Sequence, residues 1–401
     1  MARVLFVLGG ALDVGGAENQ LILVSRALLA RGFEVSILCL WRRGSQADAL
    51  EREGVTVHAL ARGLGHMRGP LAKLSRLVGG LLTTWRRVRR DRPDIVHFVL
   101  PHAYLVGGIG ALAAGAHRCV MGRRGMNRYL RGRPLTRWIE QLLHRRMAAL
   151  LANSCRVAQE LIDEGAPQSK VGLIYNGIAD ERFTDLPSRA QARATLGLPD
   201  AGLVLVKVAN LWSYKGHADL LDALAAASFG EQWRLLLVGR EQGAGAALRK
   251  RVSNLGLSGN VLFLGESERV PLILAASDIA VCASHEEGFS NAVLEYLAAG
   301  LPSVVTDVGG NREAVGNAGL VVPAGDVDAM RQALESLTGE AQRKALGGLA
   351  LQRASTFSMQ RCIDAHETLY RNLLDTGDLP VSLRAVRLCT TDTDRISEVL
   401  D

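Results

Sequence analysis

Aromatic residues are scarce, at 5% of 401 positions, and no apolar run is long enough to span a bilayer unaided. The longest weakly polar stretch, Leu105 to Ala116, is short and glycine-rich. A signal peptide is not evident: the apolar run within Met1 to Gly10 stops at a glycine turn with no small-residue cleavage site. It reads as a first strand. No C-x-x-C pair occurs either. The six cysteines, Cys39, Cys119, Cys155, Cys282, Cys362 and Cys389, are scattered and have no histidines at metal-ligand spacing. That pattern excludes a structural zinc and implies a reducing compartment, hence a cytoplasmic protein. A clean G-x-G-x-x-G with an acidic residue about 20 positions on is also missing, which counts against a Rossmann oxidoreductase.

Apolar residues make up 48% of the chain, with 43 glycines, a balance suited to Ala/Leu/Val-rich sheets packed between helices. Short apolar runs alternate with helical patterns, as expected of βαβ units in parallel sheets. A first series comprises Val4–Leu8, Glu34–Leu40, Ile95–Leu100, Ala148–Asn153 and Val171–Tyr175. A second runs Leu203–Ala209, Trp233–Val238, Val261–Leu264, Ile279–Cys282, Ser303–Thr306 and Gly319–Val322. The fold class expected is α/β, with two Rossmann-like doubly wound domains facing a central cleft. The domains are read as 1–178 and 201–355, joined by a linker at 179–200 where Asn-Gly and prolines interrupt the pattern. A C-terminal helix at 356–375 would cross back to the first domain, and a tail of unknown role occupies 376–401.

The formal charge of +7 is unevenly placed. Arg62–Arg92 carries nine Lys/Arg against Asp91, and Arg118–Arg146 nine Arg against Glu140. Such clusters suit a phosphate-bearing partner or an anionic membrane surface, or else only confer solubility. Nothing points to nucleic acid.

Ligands of open α/β sheets collect at the carboxyl ends of strands. Glu287-Gly-Phe-Ser-Asn-Ala-Val-Leu-Glu295 follows the strand Ile279–Cys282 there and leads into a helix. Its exposed N–H groups could hold a pyrophosphate, while Glu287 and Glu295, eight apart and on roughly one face, grip sugar and ribose hydroxyls. As bare spacing, a capping glutamate and a surface glutamate would serve equally. Asp326-Val-Asp328 and Asp392-Thr-Asp394 have divalent-ion spacing, yet neither falls where such a ligand would bind.

The wider segment Ser284 to Pro302 resembles the E-x7-E signature of the retaining glycosyltransferases of the GT-B fold (glycosyltransferase family 4, glycosyl transferases group 1). The resemblance continues through Thr306–Glu313, Gly319–Pro323, Asn153-Ser154 and Tyr175–Ile178 with Phe183, and spans most of the chain to about Leu374. It implies that Glu287 binds the transferred sugar, that Glu295 binds the nucleotide ribose, and that Gly288, Phe289, Ser290 and Asn291 line the sugar and phosphate site. Lys215 matches the lysine that contacts the donor diphosphate, where fixed positive charge favours departure of the leaving group. Gly15-Gly16-Ala17-Glu18 resembles the family's glycine-rich loop, letting backbone approach phosphate and acceptor, with Glu18 a helix N-terminal residue facing the dipole.

Two departures stand out. Asn210 occupies the place of a phosphate-directed arginine, for which Lys207, Arg240 or an arginine of the N-terminal domain would have to substitute. In Arg118–Gly125, Arg124 or Arg123 replaces a His-Gly or His-Thr and would meet a phosphate of donor or acceptor, or else form a structural salt bridge. His102, beyond the strand Ile95–Leu100, is a candidate to orient or deprotonate an acceptor hydroxyl, alongside Glu287 and Lys215 in catalysis. His97 is assigned to packing.

The activity implied is metal-independent, retaining transfer from a nucleotide sugar (UDP- or GDP-linked, with no other cofactor) to a glycan or lipid-linked acceptor. Surface polysaccharide or glycolipid synthesis, peripheral to the inner face of a membrane, is the expected setting. A nucleotide-sugar epimerase on the same fold is an alternative, as is a non-catalytic sugar-binding protein with a decayed site, which Asn210 would favour and the Glu287, Glu295 and Lys215 set opposes.

Overall fold

A computed structural model describes residues 1–13, 15–60, 70–230 and 232–389. The tail pair Asp392 and Asp394, and Arg62 and Arg68 of the first basic cluster, lie outside them.

The described residues form two compact units, Met1–Asn176 with residues 360–389, and Gly177–Met359. The first holds a sheet of β1 (Arg3–Leu8), β2 (Glu34–Cys39), β3 (Thr56–Ala59), β4 (Ile95–Val99), β5 (Cys119–Arg123), β6 (Ala149–Ala152) and β7 (Val171–Leu173). Every pairing is parallel, in the order β3-β2-β1-β4-β5-β6-β7. Its helices are α1 (Gly16–Ala30), α2 (Ala47–Arg52), α3 (Pro70–Asp91), α4 (Pro101–Ala113), α5 (Pro134–Arg146) and α6 (Cys155–Asp163). Parallel strands covered on both faces read as nearly continuous apolar runs; β6 does so throughout, β1 after Arg3 and β4 apart from His97.

The second unit opens with α7 (Arg189–Leu196), followed by β8 (Leu203–Val208), α8 (His217–Ala226), β9 (Trp233–Val238), α9 (Gly245–Asn254) and β10 (Val261–Gly265). Next come α10 (Val270–Ala275), β11 (Ile279–Cys282), α11 (Asn291–Ala298), β12 (Ser303–Thr306), α12 (Asn311–Val315), β13 (Gly319–Val322), α13 (Val327–Ser336) and α14 (Glu340–Ala354). The sheet order is β10-β9-β8-β11-β12-β13, again parallel. Leu205, Leu237, Ile279 and Val304 form its core with Leu220, Leu221 and Leu334. Finally α15 (Met359–Asp375) and α16 (Ala385–Leu388) bring the chain back to the first unit.

Each sheet reverses its direction of growth at one place, between β1 and β4 in the first unit and between β8 and β11 in the second. The loops leaving those strands splay apart, which is where doubly wound sheets bind ligands.

Four features depart from expectation. Strands β3 and β5 escape the apolar pattern, β3 because it is a short edge strand and β5 because it contains Gly122 and ends in a buried arginine. Leu100 is not part of β4: its φ is +74°, so the strand stops at Val99. The stretch read as a linker at 179–200 contains α7, begun by a reciprocal box in which Ser188 accepts from Gln191 N–H and the Gln191 side chain accepts from Ser188 N–H.

The fourth is covalent. Cys155, first residue of α6, is disulfide-bonded to Cys389 at the end of α16, 234 positions away, against the expectation of six reduced thiols. Sequence spacing could not reveal the pair, because the pairing depends on α16 docking beside β7, where Gly172 bridges Arg384. Cys39, Cys119, Cys282 and Cys362 are buried thiols.

Candidate active site

In the second unit the β8 and β11 loops bring together residues far apart in sequence. Lys215 sits in a 3-10 turn, Ser213–Lys215, that is followed at once by α8. Gly216 joins the two at φ +65°, and a Cβ there would lie 1.7 Å from the Ala283 carbonyl oxygen. Only glycine lets the lysine loop press against the end of β11. His285 N–H donates to the Tyr214 carbonyl at 2.7 Å, and its ring pairs with Asp219.

Held there, Lys215 Nζ donates to Glu287 Oε1 at 2.6 Å, and Ser284 Oγ donates to the same oxygen at 2.7 Å. Burial works against the lysine's charge, but Glu287 more than offsets it and raises its pKa. The loop after β12 seats the glutamate: Gly310 N–H donates to the Gly288 carbonyl at 2.8 Å. At Gly309, φ +54°, a Cβ would lie 2.1 Å from the Glu287 carbonyl oxygen.

The helix after this loop, α11, starts only at Asn291, and Ser290 precedes it without a side-chain cap. Glu287 is therefore in the loop, and Glu295 little more than one turn into the helix, so the expected shared helical face does not exist. Gly288 interrupts it. Glu295 Oε1 instead lies 3.5 Å from Arg182 Nη1. Burial raises its carboxyl to about 7, against the pull of Arg182. Phe289 packs edge-on against Phe357.

The substitutes considered for the missing arginine are placed plainly. Asn210 Oδ1 accepts from Arg240 N–H at 2.9 Å and shapes the loop after β8. The Arg240 guanidinium lies 3.6 Å from Glu266. Lys207 is inside β8, 1% exposed, and burial together with Lys215 lowers its pKa to about 8. Three residues of this group carried no sequence signal on their own: Ser284, Arg182 and His217, the last buried beside Lys207 with its pKa lowered to about 3 chiefly by burial.

In the first unit, Gly15 is the N-cap of α1 and Gly16 its first residue. Glu18, in the first turn, folds back so that a Cβ on Gly15 would lie 2.3 Å from its Oε2. His102 occupies the first turn of α4, directly after the strained Leu100, and a Cβ on Gly9 would touch His102 Cβ at 3.0 Å. Burial lowers the imidazole's pKa, with the Gly9 backbone opposing. His97 is a packing residue: 3% exposed, its Nδ1 2.6 Å from Tyr370 OH.

Arg123 and Arg124 separate cleanly, because successive residues at a strand end point to opposite sides. Arg123 takes the salt-bridge alternative: 1% exposed, it donates to Glu164 at 2.7 Å, to Glu140 at 2.7 Å and to Tyr129 OH at 2.9 Å. It is not available to a phosphate. Arg124 donates from Nη1 to Asn176 Oδ1 at 2.9 Å, and burial lowers its pKa. No carboxylate is paired with it among the described residues. Those residues also contain no cluster of three or more His, Cys, Asp or Glu able to hold a metal, and no helix among them is long and apolar enough to cross a membrane.

Residues 14–182 match the model of Glycosyltransferase Family 4 and residues 202–340 that of Glycosyl transferases group 1. A D-inositol 3-phosphate glycosyltransferase of Jonesia denitrificans is 30% identical, over 87% of this chain and 89% of its own. The chain belongs to this glycosyltransferase family. A 2-deoxystreptamine N-acetyl-D-glucosaminyltransferase of Streptomyces fradiae is 27% identical over 82% of this chain and 84% of its own. HepE of Anabaena, solved in complex with UDP-glucose, superposes with a TM-score of 0.79 at 23% identity, covering 92% of this chain and 100% of its own. That likeness shows the fold: this glycosyltransferase has two parallel-sheet Rossmann-like domains matching GT-B structures.

Proposed function

We propose that this glycosyltransferase moves a sugar from a UDP- or GDP-linked donor to a glycan or lipid-linked acceptor, with retention at the anomeric carbon and without a metal ion. The observation that carries the reading is the Lys215–Glu287–Ser284 set at the β8/β11 reversal point. A diphosphate oxygen can replace Glu287 as the partner of Lys215, and the released carboxylate can accept a sugar hydroxyl. The lysine then neutralises the charge that grows on the leaving nucleoside diphosphate. In this reading Glu295, one turn into α11, accepts ribose hydroxyls. HepE, of related fold, was solved with UDP and with UDP-glucose bound, which supports a nucleotide-sugar donor here.

The acceptor role falls to the first unit, with His102 orienting or deprotonating its hydroxyl and Arg124 offering a guanidinium to a phosphate. No carboxylate pair stands out in the sequence as a double-displacement nucleophile, so attack on the donor's front face, assisted by the leaving phosphate, is the mechanism favoured. Surface polysaccharide or glycolipid assembly is the role proposed.

A thermal-shift screen over UDP-, GDP- and ADP-sugars tests the donor, since a bound ligand stabilises in proportion to occupancy. One nucleotide series should raise the melting midpoint in the native chain and fail to do so in Lys215→Ala. Transfer unaffected by EDTA and a product of retained configuration by proton NMR are expected. A metal requirement or an inverted product would refute those parts, and sugar interconversion without an acceptor would favour the epimerase.

A further inference from the structure

The two basic segments of the first unit lie on one side of its sheet. The connections through α3, α4 and α5 all advance from β3 towards β6, so right-handed crossovers put the three helices on the same face, away from α1 and α2. Contacts agree. A Cβ on Gly80 of α3 would lie 2.9 Å from Val106 of α4, and one on Gly110 of α4 would lie 2.5 Å from the Leu81 carbonyl oxygen. On the other flank Tyr104 OH of α4 lies 2.9 Å from His144 Nδ1 of α5. Thus α4 lies between α3 and α5 on this face, with α3 and α5 as its outer neighbours.

Both outer helices expose an apolar stripe where a soluble protein would place polar residues. At about 100° per residue, Leu74, Val78, Leu82 and Trp85 of α3 fall within roughly 80° of arc, turned about 120° from the buried Gly80, Thr84 and Val88. Leu135, Trp138 and Leu142 of α5 lie roughly opposite the buried Glu140 and His144. Leu74 is 58% exposed, Leu135 67% and Trp138 57%. Arginines flank the stripes: Arg86, Arg89 and Arg90 on α3, Arg137, Arg145 and Arg146 on α5, all exposed. The acids of these helices balance few of them: Asp91 pairs with Arg87 and lies 3.9 Å from Arg90, and Glu140 is buried on Arg123, so the positive charge stays in excess.

We infer that the α3/α5 face docks on an anionic lipid bilayer, burying Leu74, Trp85, Leu135 and Trp138 at the headgroup level while the arginines meet lipid phosphates. Apolar side chains with tryptophan, rimmed by arginine, are the composition of an interfacial helix. Charge complementarity selects the occupant. A second copy of the same face would set positive against positive, and a nucleic acid would leave the leucines without an apolar partner. The inference deepens the proposal of a lipid-linked acceptor by assigning the surface that brings this enzyme to it.

The test is sedimentation of the full chain with phosphatidylglycerol–phosphatidylcholine vesicles, with phosphatidylcholine vesicles alone as control. Partition onto the anionic vesicles is expected, weakening with salt. Leu74→Glu with Trp138→Glu should lower it at least tenfold, and Arg86→Ala, Arg89→Ala and Arg90→Ala together by roughly a hundredfold, at about fivefold per basic residue. These positions are exposed, so melting midpoints and donor-induced shifts should be unchanged, confirming folded variants. Trp85 and Trp138 fluorescence should be quenched by brominated lipid. Equal partition of native chain and variants, no partition at low salt, binding of single-stranded RNA in place of vesicles, or a dimer abolished by the same variants would each overturn the inference. Donor shifts need no vesicle and vesicle binding needs no donor, so failure here and failure of the proposed function are distinguishable.

Discussion

Lys215 Nζ and Glu287 Oε1 meet at 2.6 Å across 72 positions of sequence, at the point where the second sheet reverses. Each neutralises the other in a partly buried place. Removing either leaves a lone charge and, under the proposed function, deprives the donor of a contact. Glu287→Gln and Lys215→Ala should each lower turnover by roughly a hundredfold to a thousandfold, measured as nucleotide release with the best donor. Turnover equal to the native enzyme in both variants would remove the pair from the mechanism.

Glu295 gives a pH signature. Its carboxyl is raised from an ordinary 4.5 to about 7 by burial, so the folded chain holds this proton more tightly than the unfolded one. Its contribution to stability is complete below pH 4.5 and is lost as pH rises through about 7, by at most about 3 kcal/mol. Glu295→Gln should therefore stabilise the chain at pH 8 and change little at pH 4. If ribose hydroxyls bind the carboxylate, donor affinity in the native chain rises through pH 7 and that dependence vanishes in the variant. Urea denaturation and donor titration across this range measure both.

The adjacent arginines should behave oppositely. Arg123→Met strands Glu140 and Glu164 as unpaired buried charges and should cost roughly 3–5 kcal/mol. Arg124→Gln loses one hydrogen bond to Asn176 and should cost about 1 kcal/mol, yet it should weaken binding of a phosphate-bearing substrate. Denaturant midpoints and substrate KM together separate the two. Matching stability losses would contradict the division of roles.

The Cys155–Cys389 link ties α16 to the start of α6. Reduction should lower stability by about 2–4 kcal/mol, seen as a lower melting midpoint with dithiothreitol, and Cys389→Ser should match the reduced chain and ignore reductant. A native chain with six titratable thiols in denaturant would show that the link does not form.

Gly216→Ala should be among the most damaging small substitutions. It puts a methyl group 1.7 Å from the Ala283 oxygen at a φ of +65°, so the Lys215 loop must move. Loss of donor-induced stabilisation, with only a modest fall in the melting midpoint, is the expected thermal-shift result.

Much of this protein is legible in one dimension because parallel strands covered on both faces need unbroken apolar runs. Val4–Leu8, Trp233–Val238 and Ile279–Cys282 could be placed directly, as could the loops that follow them. The segment from Ser284 to Pro302 likewise specifies the turn that carries Glu287 ahead of α11, since its glycines and serine serve a local backbone shape. Partnership is not local. Whether Arg123 or Arg124 is committed to ion pairs depended on β5, which its glycine and arginine hid, and on α5 and α6 supplying Glu140 and Glu164. The sequence by itself determined the two sheets and the residues offered at their carboxyl ends. Only the tertiary structure decided that Glu287 answers Lys215 and Glu295 answers Arg182, and that Cys155 meets Cys389, because packing, unlike strand periodicity, brings together side chains at any separation.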